Sequence, residues 1–245
     1  MYGSRIFPAV TNNTDTAANL AMAAGDPAPV RLLHLDADLC AVWKPSGLPV
    51  LPDRTGDTDL RMLLREQAGL PTAEAAHRLD RPVSGVVLFA LKRQALTALN
   101  AAFAKGAVRK TYLAIVHGRV DGPQVLEGHL DHDPHKRRAR VAVSSSARRV
   151  RLTIQPVKHG ERYTLVRVEP DGGAFHQIRA QLAMAGHPIK GDVKYGARRG
   201  EGDRSIALHA LMLDLKHPVG LQHLHIQAPP PTTTIWQRFL DPLQP

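Results

Sequence analysis

Residues 125–168 limit most strongly what this chain can fold into. They hold four short runs, 125–130, 139–144, 150–157 and 163–168, each rich in alternating or β-branched residues and joined by polar or basic turns. Successive runs of this kind pair with their neighbours as an antiparallel meander. Segments with helical spacing are fewer. Residues 58–68 place Leu60, Leu63 and Leu64 on one side, with Asp57 as N-cap and Gly69 as stop. Residues 93–105 carry Leu96, Leu99 and Phe103 on one face and end at Gly106. Residues 175–185 open after Gly173 with a stripe of Phe175, Ile178, Leu182 and Ala185, while His176 and Arg179, three apart, share another face. Further strands are predicted at 31–43, 85–91, 110–116, 207–215 and 223–227, and a short helix at 235–240. Strands outnumber helices and do not alternate strictly with them. The expected fold class is α+β, with a mainly antiparallel mixed sheet flanked by helices.

Aromatic residues make up 4% of the chain and hydrophobic residues 43%, so the core must be built from Leu, Val, Ile and Ala. The single cysteine, Cys40, allows no internal disulfide, and its apolar surroundings predict a buried thiol. No apolar run approaches the length of a membrane span. Residues 1–29 lack the basic start and apolar segment of a secretory leader and read as a polar, poorly ordered extension. No linker or repeat divides residues 30–245, and the expected location is the cytoplasm.

The formal charge is +10, and it is unevenly placed. Residues 1–104 are balanced at ten basic and ten acidic groups, residues 105–160 hold twelve against four, and residues 161–245 hold ten against eight. The excess centres on Lys136, Arg137, Arg138 and Arg140, followed by Arg148, Arg149 and Arg151. Clustered cations of this kind release counterions from nucleic acid. The nearby His129, Asp131, His132, Asp133 and His135 offer metal-ligand chemistry, but strand spacing turns His132 away from the others and Pro134 breaks the strand before His135. No metal is expected there.

The stretch His77-Arg78-Leu79-Asp80-Arg81-Pro82-Val83-Ser84-Gly85 sets one carboxylate between two arginines. Desolvation raises a carboxyl pKa and a guanidinium lowers it, so a nucleophilic Asp80 needs a cation held against it in space. Taken alone, the pattern reads as a surface ion-pair cluster.

Three other segments accompany it: Lys44-Pro45-Ser46-Gly47-Leu48; Lys110-Thr111-Tyr112-Leu113-Ala114 with Gly118; and Gly173-Ala174-Phe175-His176-Gln177-Ile178-Arg179 with Gly186-His187-Pro188-Ile189 and Gly191-Asp192. A weaker closing match is Leu208-His209-Ala210 with His217-Pro218. In this order, over residues 31–230, the chain resembles the RluA-like family of RNA pseudouridine synthases. The resemblance implies a pseudouridine synthase fold with a central basic cleft, formed by a catalytic domain spanning 30–245. It implies an isomerase that converts specific uridines of tRNA and/or 23S-type ribosomal RNA to pseudouridine. Residue by residue, Asp80 falls at the catalytic aspartate, Tyr112 at the tyrosine that packs against the target base, and Arg179 at the arginine that pairs with the aspartate. Arg78, Arg81, Lys110, His176, Gln177 and the tract Lys136, Arg137, Arg138 and Arg140 are the expected substrate contacts, with His176 supporting the site rather than acting as base. The expected partner is RNA, with neither membrane nor cofactor nor metal, since the rearrangement needs no redox step or energy input. The expected state is a monomer.

Two departures stand out: Pro82-Val83 replaces a hydroxyl-bearing pair, and Gly173-Ala174-Phe175 replaces the usual Gly-Arg-Thr. They bear on substrate contacts rather than on the reaction. Two other readings remain open. One is a non-catalytic RNA-binding or ribosome-assembly factor on the same fold. The other is a nucleoside or glycoside hydrolase, for which a second carboxylate is not evident.

Overall fold

A computed structural model describes residues 30–133, 138–141 and 147–241. The first hydrophobic run forms two strands, β1 (Arg31–Leu35) and β2 (Leu39–Lys44), where the sequence predicts one. Asp36 is the reason: its Oδ1 accepts the N–H groups of Asp38 at 2.8 Å and Leu39 at 3.0 Å and closes a turn. Helix α1 (Leu60–Glu66) is capped by Asp59, which accepts the Met62 N–H at 3.1 Å. The expected cap, Asp57, pairs with Arg81 instead. Next come β3 (Glu74–Ala75), β4 (Ser84–Ala90), α2 (Arg93–Ala104) and β5 (Arg109–His117).

The four predicted runs form β6 (Gln124–Asp133), β7 (Arg138–Val141), β8 (Arg148–His159) and β9 (Tyr163–Pro170), but not a simple meander: β6 lies between β7 and β8, pairing with both, and β8 continues to β9. Lys136, Arg137 and the end of the run predicted at 139–144 lie outside the described residues, as does the extension 1–29. Helix α3 (Gln177–Met184) begins two residues later than predicted because His176 takes a left-handed conformation (φ 54°) and leaves Phe175 outside the helix. A 3-10 turn, Val193–Tyr195, leads to β10 (Leu208–Lys216), β11 (His223–Gln227) and α4 (Thr234–Leu240).

All eleven strands join one sheet, in the order β1-β2-β4-β10-β5-β9-β8-β6-β7, with β3 on β4 and β11 on β10. Among the described strands only β4 and β10 pair in parallel, through Ser84 and Gly85 opposite His209 and Ala210. Gly85 is required at this crossing: its φ is +125°, and a Cβ would lie 2.3 Å from the Ala210 carbonyl oxygen. The close approach seats the entry to β4 on β10. His209 secures the same crossing, its Nδ1 meeting the Ser84 hydroxyl at 2.9 Å and its Nε2 donating to the Ala228 carbonyl at 3.0 Å.

The core is mainly aliphatic, as the composition requires, with Leu39, Leu88, Ile115, Ile154 and Leu165 fully buried beside the aromatic rings of Phe89 and Trp236. Each such side chain contributes about 1.5–3 kcal/mol by leaving water. A smaller cluster of Leu130, Ala139, Val150 and Ala180 seats the β6–β7–β8 hairpins on α3. Cys40 is fully buried in β2, and burial, with the Asp36 charge, pushes its thiol up to about 12. Among the described residues, no helix is long and apolar enough to cross a membrane.

Candidate active site

Asp80 sits in the loop that enters β4, and that loop is fastened to the turn after β2. The Arg81 carbonyl accepts the Gly47 N–H at 2.8 Å, and Arg81 Nε donates back to the Gly47 carbonyl at 2.8 Å. Beneath them Lys44 is fully buried, its amine donating to the carbonyls of Leu48 (2.7 Å), Pro45 (2.9 Å) and Arg81 (3.1 Å). Three carbonyls match the three protons of an ammonium. Burial nonetheless lowers the Lys44 pKa to about 7, with Asp80 opposing the shift and Arg81 adding to it.

Arg179, on α3, supplies the cation that Asp80 needs. Its NH1 donates to Asp80 at 2.9 Å, while Nε and NH2 fork onto the two oxygens of Asp192 at 2.7 and 2.8 Å. Burial works to lower the arginine pKa, but the hydrogen bonds and charge of Asp192, then those of Asp80, outweigh it and raise the pKa above its ordinary value. The guanidinium lies over the Tyr195 ring, 5.1 Å from its centroid. The Tyr195 hydroxyl accepts the Ala139 N–H at 2.7 Å and lies 2.8 Å from His176 Nδ1. With the phenol donating a hydrogen bond to Nδ1, the neutral His176 carries its proton on Nε2, 3.5 Å from Asp80. Burial lowers His176 to about 4, reinforced by Arg179, Lys194 and Arg78 against the pull of Asp80, so the ring is neutral at neutral pH.

Asp80 stands between two clefts. One, of about 390 Å³, is lined by Tyr112, Lys110, Arg148, Gln177 and Leu208. The Tyr112 pKa is pushed up by burial and by the Asp80 charge, so its phenol keeps its proton. The other cleft, of about 500 Å³, is bordered by Phe175, Lys194, Arg204 and Asp192. Arg78, His176 and Arg179 border both.

The structure thus brings Asp80, Tyr112, Arg179, Arg78, Lys110, His176 and Gln177 to one place. Several are already engaged. Lys110 donates to the Gly172 carbonyl. Gln177 accepts the Ala174 N–H at 3.1 Å and donates to the Arg151 carbonyl at 3.0 Å, bracing the turn before α3. Arg81, predicted beside Asp80, turns its guanidinium to Asp53, Asp57 and Thr55. Arg138 and Arg140 lie away on β7, with Arg140 paired to Asp131 at 3.3 Å.

Asp192 and Tyr195 were not predicted as site residues. Asp192 was visible only as part of the Gly191-Asp192 motif, and nothing local marks Tyr195. A group with metal-ligand chemistry joins Asp36 and Asp38, in the turn between β1 and β2, to His217 just after β10, and Asp36 is already engaged there by hydrogen bonds to the Asp38 N–H and to His217.

The family model for RNA pseudouridylate synthases matches residues 38–184, a span that includes Asp80, Tyr112 and Arg179. The chain belongs to the RNA pseudouridylate synthase family. Its relatives include a "tRNA pseudouridine synthase C" of Haemophilus ducreyi, 33% identical and aligned over 80% of this chain and 89% of the relative. The "Dual-specificity RNA pseudouridine synthase RluA" of Yersinia pestis is 31% identical over 76% of this chain and 92% of its own length. The chain spans 58% of the Pectobacterium carotovorum "tRNA pseudouridine synthase C", at 33% identity. Human RNA Pseudouridylate Synthase Domain Containing 1 superposes with a TM-score of 0.72 at 23% identity, over 86% of this chain and 88% of that one. The chain therefore has the pseudouridine synthase fold, the mixed, mostly antiparallel sheet that its sequence predicts.

Proposed function

We propose that this protein isomerises specific uridines in tRNA and/or 23S-type ribosomal RNA, with Asp80 as the nucleophile or base acting on a nucleotide flipped out of its helix. The observation that carries this reading is the Arg179–Asp80 pair at 2.9 Å, set in a cleft beside Tyr112. Arg179 is itself fixed by Asp192 and holds a guanidinium donor against the Asp80 carboxylate. In the reaction the N1–C1′ bond of uridine breaks, C5 joins C1′, the C5 proton leaves and N1 gains one, with no net redox change. Asp80 would act at the sugar while the detached uracil turns against the Tyr112 ring. Lys110, Arg148 and Arg78 give this cleft the positive lining that a phosphate backbone requires. We further propose that residues 30–245 act as one catalytic domain, as a monomer in the cytoplasm. Sedimentation with and without RNA tests the monomer.

The deciding experiment uses RNA with tritium at uridine C5, extracted from a strain lacking the gene. Wild-type protein should release tritium. Asp80→Asn and Asp80→Ala should lower release by at least ~10³-fold, about 4 kcal/mol in the barrier, while filter binding shows RNA retained. Release at a normal rate by either variant would refute the role of Asp80. Full rescue of a deletion strain by Asp80→Ala would favour a purely RNA-binding role.

A further inference from the structure

The second cleft is not used by the uridine in the chemistry just described, yet the same carboxylate borders it. Its wall carries a continuous aromatic shelf. Phe175 stacks on His176 with centroids 3.8 Å apart and planes 18° from parallel, and His132, from β6, meets Phe175 edge to face at 4.7 Å. Phe175 is 36% exposed, an unusual cost for an aromatic residue in a chain that has so few. The left-handed turn at His176 is what lifts Phe175 out of α3 and onto this shelf. Facing the cleft are Lys194 and Arg204, both exposed, with Arg78 at the shared rim.

We propose that this cleft is a subsite for the nucleotide next to the target uridine, whose base stacks on Phe175 while its phosphate is met by Lys194 and Arg204. The proposal rests on reading the Tyr112 cleft as the uridine site. Single-stranded RNA is gripped in this way, by a flat ring for the base and cations for the backbone. The position also fits the substrate: the two clefts share Asp80, so a nucleotide in one leaves its covalent neighbour beside the other. Phe175 stands where the family pattern has Thr, so the contact is a property of this chain. Stacking selects on the π-face rather than on an edge, which makes the subsite tolerant of base identity but intolerant of a missing base.

The test is steady-state tritium release by the full-length protein on the RNA described above, comparing wild type, Phe175→Tyr and Phe175→Leu. Phe175→Leu should raise KM about tenfold with kcat nearly unchanged, and Phe175→Tyr, which keeps a flat ring, should stay near wild type. Lys194→Ala with Arg204→Ala should raise KM and flatten its salt dependence. Once the target uridine is mapped, an abasic residue beside it should abolish the difference between wild type and Phe175→Leu. The subsite is overturned if Phe175→Leu matches wild type in KM, or if only kcat falls, since the ring would then merely hold His176. It is also overturned if the abasic substrate leaves the difference intact. A wild-type protein that releases no tritium would instead refute the reading of the uridine cleft, and the subsite with it.

Discussion

Arg179 is held from two sides, and the two carboxylates serve different ends. Asp80 offers it one oxygen and stays 18% exposed toward substrate, whereas Asp192 takes the other two donors of the fork and is 1% exposed. Asp192 is therefore the positioning residue and Asp80 the one free to react. Asp192→Asn keeps the shape but sets an amide against the guanidinium, and should cut kcat roughly 10- to 100-fold while RNA affinity holds, about 1.4–2.7 kcal/mol in the barrier. Asp192→Ala leaves a buried cation half-paired and should cost about 3 kcal/mol of stability, measured by urea unfolding. Normal kcat in Asp192→Asn would show that the fork is dispensable. The sequence made Asp80, Tyr112 and Arg179 legible because each sits in a motif of its own. Asp192 and Tyr195 were not, because their meaning lies in partners brought up by folding: Arg179 for one, Ala139 and His176 for the other.

Among the elements, the β6–β7–β8 hairpins carry the basic charge and stand at one end of the sheet. Their attachment to α3 runs through the small apolar cluster and through Tyr195, whose hydroxyl joins the backbone of β7 to His176. Neutralising Arg138 and Arg140, together with Arg137, should weaken RNA binding and reduce the slope of log affinity against log salt by about 1–2. The Asp80 chemistry at saturating RNA should survive. An unchanged slope would mean that these cations only face water. The four strands β6 to β9 were legible from alternation, though not their order, in which β6 lies between β7 and β8, and α2 was legible from its apolar stripe. The errors came at element ends, where side chains decide. Asp36 folds a strand into a hairpin, Asp59 rather than Asp57 caps α1, and His176 delays α3. The two-residue β3 is too short to have a period at all.

At the scale of the whole molecule, three histidines of the described residues whose pKa is held down, His77, His176 and His209, shape the response to acid. His77 is lowered to about 3 by burial and by the Lys110 charge, and His176 and His209 to about 4, each chiefly by burial. In the unfolded chain all three titrate near 6.5. Between these values the unfolded state binds more protons, so the contribution of these histidines is complete above pH 6.5 and drains away as pH falls toward 4. Each group can contribute up to about 1.4 kcal/mol per pH unit over that window. The urea midpoint should drop steeply between pH 7 and pH 4.5, and His209→Gln should make the fall shallower. A midpoint flat over that range would contradict the assignment.

Cys40 adds a practical consequence. The thiol lies at zero exposure in β2, between the strands that flank it, with its proton held tightly. A maleimide or disulfide reagent can reach it only after those strands separate, so its labelling rate is a clock for opening of the sheet. Because it is the only sulfhydryl in the chain, a cysteine introduced on the hairpins or beside Phe175 could carry a fluorophore with no competing site.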